Sequence, residues 1–167
     1  NLGLLRDHLK DLNLDKDTIL IFMTDNGTSA GCKFPGLDTE PTLGFNAGMR
    51  GKKSSIYEGG HRVPFFLHWP AGGFSKGLEI DTLAAHIDVL PTLADLCELP
   101  KPDKRYDVDG LSLIPLLTDK VNSWKRNHLF LQYHGGAHHK FALGPLTNSV
   151  VMTERWRLVN TDKAEEL

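Results

Sequence analysis

Leu2, Leu5, Leu9 and Leu12 recur at intervals of three and four, with Asp7, Lys10 and Asp11 on the other side. That spacing predicts a surface helix packed by one apolar stripe. The period then changes. "TILIFMT", residues 18 to 24, is an apolar run without polar alternation, the pattern of a strand covered on both faces in a parallel or mixed α/β sheet. Residues 25 to 57 are rich in Gly, Ser, Thr and Pro and sustain no period, and a loop of that length inside a compact domain is more often functional than passive. "VPFFLHW" at 63 to 69 predicts a second apolar strand, with Pro64 at its beginning or edge. "TLAAH" reads as a short buried strand. Asp88 is placed to cap a helix over "VLPTLADLCEL", where Pro91 falls in the first turn and its missing N–H costs little. "PKPDKRYDVDG" has the composition of a linker, and "LSLIPLL" that of a short helix or turn. "HLFLQYH", "SVVMTE" and "WRLVN" are short strand-like runs between turns, which predicts a small antiparallel sheet.

Composition narrows this picture without redirecting it. At 167 residues, 40% apolar and 24% charged, the chain can bury an ordinary globular core, and its formal net charge of -2 gives no bulk attraction to nucleic acid or anionic membrane. No stretch approaches the roughly 20 apolar residues that span a bilayer, and the first residues lack the basic-then-apolar order of a signal peptide. They read instead as a helix already under way, without an initiator Met, which leads us to expect a portion of a longer chain. Cys32 and Cys97 are the two cysteines, neither in a metal-type pair, leaving one disulfide or two free thiols.

Three segments carry groups capable of chemistry. Asp25 and Asn26 follow the first predicted strand, and in open α/β sheets ligands gather outside the carboxyl ends of strands. A carboxylate beside a side-chain carbonyl offers hard oxygen donors for Ca²⁺ or Mg²⁺, although two donors are an incomplete shell. Asn26-Gly27 is equally a hairpin-turn signal, so pattern alone leaves turn and site both open. The second segment, "GMRGKKSSIYEGGHRVP", sets Arg50, Lys52 and Lys53 in a Gly-rich loop, where basic side chains and free amides suit an oxyanion. It fails the nucleotide P-loop template, because Asn46 stands where the first Gly belongs and Lys53 where the hydroxyl belongs. A solvated basic loop is the plain alternative. Third, His134, His138 and His139 in "QYHGGAHHK" offer imidazoles to a metal or an oxyanion, against the alternative of a surface loop. A nucleic-acid site on Arg50, Lys52 and Lys53 is disfavoured, since no aromatic stacking platform is interleaved.

Taken in order, the segments resemble the sulfatase family of the alkaline phosphatase superfamily. "TILIFMTDNG" is similar to that family's strand ending in Ser/Thr-Asp-Asn-Gly, and "MRGKKSSIYEGGHRVPFFLHWP" to its Arg-Gly-x-Lys segment with the downstream Glu-Gly-Gly-x-Arg-x-Pro. "HIDVLPTLADL", "DGLSLIPLL" and "VVMTERWRLV" resemble its Pro-Thr-Leu helix, its Asp-Gly-x-Ser-Leu segment and its C-terminal hairpin. The resemblance implies an α/β fold: part of a mixed, mainly parallel sheet flanked by helices over residues 1–121, and part of a small C-terminal antiparallel sheet subdomain over 122–167.

By the same resemblance, Asp25 and Asn26 match a metal-binding pair for a divalent cation, Ca²⁺ first and Mg²⁺ second. Counting back from Glu58 puts Lys53 on the lysine that contacts the sulfate oxygens, as both a catalytic and a substrate-binding group. His61 stands where small apolar residues are common and brings an extra imidazole near the site or decorates the loop; His138 and His139 are further substrate-side candidates. The implied activity is sulfate ester hydrolysis on a sulfated small molecule or glycan, in a secreted, periplasmic or lysosomal setting. The family's nucleophile, a formylglycine made within Cys/Ser-x-Pro/Ala-x-Arg, has no counterpart motif here, and Cys32 is followed by Lys33, Phe34 and Pro35. The expectation is therefore a sulfatase portion that is inactive alone. The competing expectations are a phosphonate or phosphodiester hydrolase of the same superfamily and a module that binds sulfated glycans without cleaving them.

Overall fold

A computed structural model describes residues 1–29, 45–74, 77–100, 108–118, 123–133, 148–161 and 165–167. In chain order the elements are α1 (Leu2–Asp11), β1 (Leu20–Met23), α2 (Glu58–His61), β2 (Phe65–His68), a 3-10 turn (His86–Asp88), α3 (Val89–Leu96), α4 (Ile114–Leu117), β3 (Leu129–Gln132), β4 (Ser149–Met152), β5 (Arg157–Asn160) and β6 (Glu165–Glu166). Their contacts gather into two units, one of Asn1–Gly77, Phe130–Val151 and Arg157–Leu167, the other of Leu78–Leu129 and Met152–Trp156.

In the first unit, β1 and β2 pair antiparallel with Leu20 opposite His68 and Met23 opposite Phe65. The two apolar runs therefore do form strands, and Pro64 sits just ahead of β2, where its missing N–H interrupts no ladder. Both pairings whose register is described, β1 with β2 and β5 with β6, are antiparallel, so a mixed helix-and-sheet architecture is present and a parallel ladder is not among them. The expected cover on both faces of β1 is also not found among the described residues, since Phe22 is 41% exposed. Strands β3 to β6 lie side by side in chain order, as the three short strand-like runs predicted. Among the described residues, Ile56, Val150 and Val159 are the buried apolar side chains of this unit.

Helix α1 ends in a doubly bonded left-handed turn: Asn13 has φ 57°, its N–H reaches Lys10 O at 2.9 Å, and Leu14 N–H reaches Leu9 O at 2.9 Å. None of its residues is buried, so the leucine stripe is present but not packed away. Leu9 is half-buried and lines a cavity of about 30 Å³ with Arg6, Lys10, Asp15, Thr18, Leu20 and His68, room for one or two waters.

The second unit is organised by a buried polar network. Asp88 has 0% exposure. One of its carboxylate oxygens accepts from Ala85 N–H at 2.8 Å, and the other accepts from Leu111 N–H at 2.8 Å and pairs with the Arg126 guanidinium. Thr92 Oγ1 donates to Asp88 O at 2.5 Å and accepts from Leu113 N–H at 2.8 Å. This corrects the expected cap on α3: the Asp88 side chain makes no bond to that helix. Its backbone is already helical, at φ -80° and ψ -16°, because the 3-10 turn runs straight into α3, whereas a capping residue ordinarily sits in the extended region with its side chain over the next turn. "TLAAH" is likewise not a strand, its end being taken into the 3-10 turn. Leu113, Leu116 and Met152 are the buried apolar side chains of this unit.

At the end of α3, Glu98 repeats the left-handed turn of Asn13, with φ 52°, Glu98 N–H on Asp95 O at 3.2 Å and Leu99 N–H on Ala94 O at 2.9 Å. An L side chain there is strained by its Cβ, and glycine is not. Glu98→Gly is accordingly expected to stabilise the protein by about 1 kcal/mol, read as a higher denaturant midpoint at unchanged slope.

Candidate functional site

The site is built where the first strand ends. Neither Asn26 nor Gly27 has positive φ, and the strand that pairs with β1 lies some forty residues on, so Asn26-Gly27 is not a two-residue hairpin of the type its sequence suggests. Thr24 Oγ1 instead donates to Asn26 O at 3.1 Å. Gly27 is required for a different reason: a Cβ there would stand 1.8 Å from Gly59 O and 2.8 Å from Gly59 C.

That close approach joins two loops. Gly27 N–H donates to Gly60 O at 2.9 Å, and Lys53 N–H donates to Thr28 O at 2.9 Å. The segment carrying Asp25 and Asn26 is thus fastened by its backbone to the segment carrying Lys53. Asp25 and Lys53 are exposed and Asn26 is half-buried, so the carboxylate and the ammonium are both accessible to a ligand.

The Lys53 loop closes on itself in the same manner. Gly59 N–H reaches Arg50 O at 2.8 Å, Gly60 N–H reaches Tyr57 O at 2.8 Å and Ser55 N–H reaches Lys52 O at 3.0 Å. Cβ atoms on Gly59 or Gly60 would meet backbone oxygens at 2.2 and 2.3 Å, those of Gly51 and Ser55 respectively. Asn46, read from sequence only as a misfit in a P-loop, gives its Nδ2 to Met49 O at 2.6 Å and Gly51 O at 3.2 Å and so braces the loop's entry. The Glu-Gly-Gly-His run forms the short helix α2, although two glycines disfavour helix, because its second and third residues must be small to admit these contacts.

Charged partners surround the loop. Glu58 Oε1 accepts from Arg157 Nε at 3.1 Å, and Glu58 Oε2 lies 3.6 Å from Arg62. Arg50 lies over the Tyr57 ring at 3.8 Å from its centroid, donates to Tyr57 Oη at 2.9 Å and pairs with the Glu166 carboxylate. The Arg50 contact holds the Glu166 carboxyl below its ordinary range, and Glu166 in turn raises Arg50. His61 directly follows Gly60 and is half-buried; burial lowers its pKa, opposed by the nearby Glu58 carboxylate. Its imidazole is therefore neutral near pH 7, able to accept or donate a hydrogen bond rather than carry charge.

Of the residues singled out from sequence, Asp25, Asn26, Lys53 and His61 come from segments that share these backbone bonds. His138 and His139, with His134, lie outside the described residues. Sequence reasoning missed the roles of Glu58, Arg157, Arg50, Tyr57 and Glu166; only the Glu-Gly-Gly motif signalled that residue 58 mattered. Among the described residues, no three His, Cys, Asp or Glu side chains converge as a metal cluster, and no helix is long and apolar enough to cross a membrane.

The chain resembles known proteins. The sulfatase family model matches residues 1–99. Human steryl-sulfatase is 34% identical over 138 residues, covering 83% of this chain and 23% of its own length. Human arylsulfatase A is 34% identical over 128 residues, covering 77% and 23%. The choline-sulfatase of Rhizobium meliloti is 33% identical over 115 residues, covering 69% and 19%. A solved structure, described as a complex with its substrate D-glucosamine-2-N,6-O-disulfate, matches 98% of this chain and 29% of its own with a TM-score of 0.60 at 20% identity, a likeness of fold. The chain thus spans about a fifth of the length of the curated relatives it matches. With the family model covering more than half of its residues and relatives a third identical over most of its length, the chain belongs to the sulfatase family.

Proposed function

We propose that this chain supplies part of the metal and sulfate site of a sulfate ester hydrolase, with the nucleophile contributed from outside these 167 residues. The observation that supports this most directly is the pair of backbone bonds, Gly27 to Gly60 and Lys53 to Thr28, that hold an Asp-Asn pair against a lysine loop in a member of the sulfatase family. The donor chemistry fits a divalent cation. The Asp25 carboxylate and the Asn26 side-chain carbonyl are hard oxygen donors suited to Ca²⁺, with Mg²⁺ the second choice, and the remaining donors have to come from elsewhere in the protein. Once bound, such a cation supplies charge neutralisation at the sulfate oxygens.

In this reading Lys53 places an ammonium against the same oxygens and stabilises the charge that grows as the S–O bond breaks, the kind of electrostatic term that dominates such catalysis. Asp25 and Asn26 would hold the cation through the carboxylate and the side-chain carbonyl. His61, neutral and one residue beyond the Gly27 contact, serves as a hydrogen-bonding group on the substrate side, and His138 and His139 are further substrate-side candidates. Residues 1–121 belong to the second half of the catalytic α/β domain, whose complete sheet is mixed and mainly parallel, and residues 122–167 to a small antiparallel subdomain. The substrate is a sulfated small molecule or glycan, met in a secreted, periplasmic or lysosomal setting.

The test is hydrolysis of an aryl sulfate by the intact protein. Lys53→Ala is expected to lower kcat/KM by about 100-fold, and a chelator or Asp25→Ala to lower it at least as far. The isolated 167-residue chain should show no turnover. Full activity in Lys53→Ala, or metal-dependent turnover by the isolated chain, would refute this assignment.

A further inference from the structure

We infer that the C-terminal strands β5 and β6 position the Lys53 loop, with Arg157 and Glu166 as positioning residues; this deepens the reading of Lys53 as the sulfate contact and rests on it. The contacts bracket the loop, at Arg50 where it begins and at Tyr57 and Glu58 where it ends. Glu166 takes the Arg50 guanidinium on both carboxylate oxygens, the second at 3.3 Å, and accepts from Tyr57 Oη at 3.2 Å, closing a triangle whose third side is the Arg50 bond to Tyr57 and so tying the loop's start to its end. Next to Tyr57, Arg157 Nε donates to Glu58 Oε1 at 3.1 Å. Lys53 lies between Arg50 and Tyr57 in the chain, beside Ser54, whose φ is 70°.

The register of the two strands explains why both clamps come from them. Val159 pairs with Glu166, so these two side chains share a face, and Arg157, two residues before Val159, shares it too. One face of the β5–β6 pair therefore presents a guanidinium and a buried valine along β5 and a carboxylate across from the valine on β6, and the loop meets the guanidinium with Glu58 and the carboxylate with Arg50 and Tyr57. A lone exposed ion pair contributes little, but here a two-oxygen guanidinium–carboxylate contact, a ring stack and a phenol share one geometry. The groups facing Glu166 are Arg50 and Tyr57, and those facing Glu58 are Arg157, Arg62 and His61.

Hydrogen–deuterium exchange on the intact protein tests this. Glu166→Gln and Arg157→Gln are each expected to speed exchange in residues 50–60 by about threefold and together by about tenfold, with residues 2–11 and 89–96 unchanged. Unchanged exchange in 50–60, or equal acceleration everywhere, overturns the inference. Kinetics give a second readout: Glu166→Gln should lower kcat/KM on an aryl sulfate when Lys53 is present and add nothing to Lys53→Ala, whereas additive losses overturn a role acting through Lys53. If Lys53→Ala itself leaves hydrolysis untouched while exchange in 50–60 responds as stated, the sulfate-site reading fails and the clamp on the loop stands.

Discussion

Gly27→Ala is expected to destabilise the protein by about 3 kcal/mol and to abolish whatever Asp25 and Lys53 do together. The added Cβ would stand 1.8 Å from Gly59 O, 2.8 Å from Gly59 C and 3.1 Å from Gly60 Cα, all backbone atoms that no side-chain rotation can clear. The opposing strand of chain has no room to retreat. Gly59 is itself pressed against Gly51 O and Arg50 O, and Gly60 against Ser55 O and Lys52 O, so moving either displaces the whole Lys53 loop. The substitution therefore forces the two loops apart and breaks the Gly27–Gly60 and Lys53–Thr28 bonds. Wild type is the reference, and Gly3→Ala, which meets nothing within 4 Å and sits in helix α1, should if anything be stabilised. A Gly27→Ala midpoint equal to wild type in urea unfolding would show that the loops are not in contact.

Asp88→Ala is expected to cost about 3–5 kcal/mol, the loss seen when one partner of a buried ion pair is removed and the other stays behind uncompensated. Arg126 would be that remainder, its side chain only 8% exposed. The Ala85 and Leu111 N–H groups would lose their acceptor as well. Tightness in the neighbourhood removes an easy escape, because Gly110 passes so near Ile87 O that a Cβ there would stand 1.9 Å from it. Asp88→Asn keeps one acceptor oxygen and should fall between wild type and alanine. A loss below about 1 kcal/mol for Asp88→Ala would place this pair with exposed ones, against its burial.

The sequence made some of this legible for identifiable reasons. Both apolar runs became strands because continuous apolar character with flanking Pro and Gly leaves few other choices, and Asp25 and Asn26 stood at a strand's carboxyl end as the run's length required. Lys53 is preferred to Lys52 only by counting back from the Glu-Gly-Gly motif, since periodicity says nothing in a loop. What escaped were the contacts between distant positions. Nothing local marks Glu58 as the partner of Arg157, or Asp88 as the acceptor for Leu111 and Arg126 rather than for its own helix. Gly27 was read as a turn residue when its absent side chain serves close approach, a distinction invisible until the facing backbone is known. "TLAAH" was too short for its apolar character to choose between strand and turn.

The clamps on the Lys53 loop join positions 99 and 116 residues apart, Glu58 with Arg157 and Arg50 with Glu166. Contacts of such sequence separation form late, because a long loop must close before they reward it. During synthesis at about 5–20 residues per second, Gly60 emerges several seconds before Glu166, so the lysine loop exists for that interval without the groups that hold it. The order of assembly is thereby set by topology: two strands synthesised about a hundred residues later complete the neighbourhood of a lysine made before them.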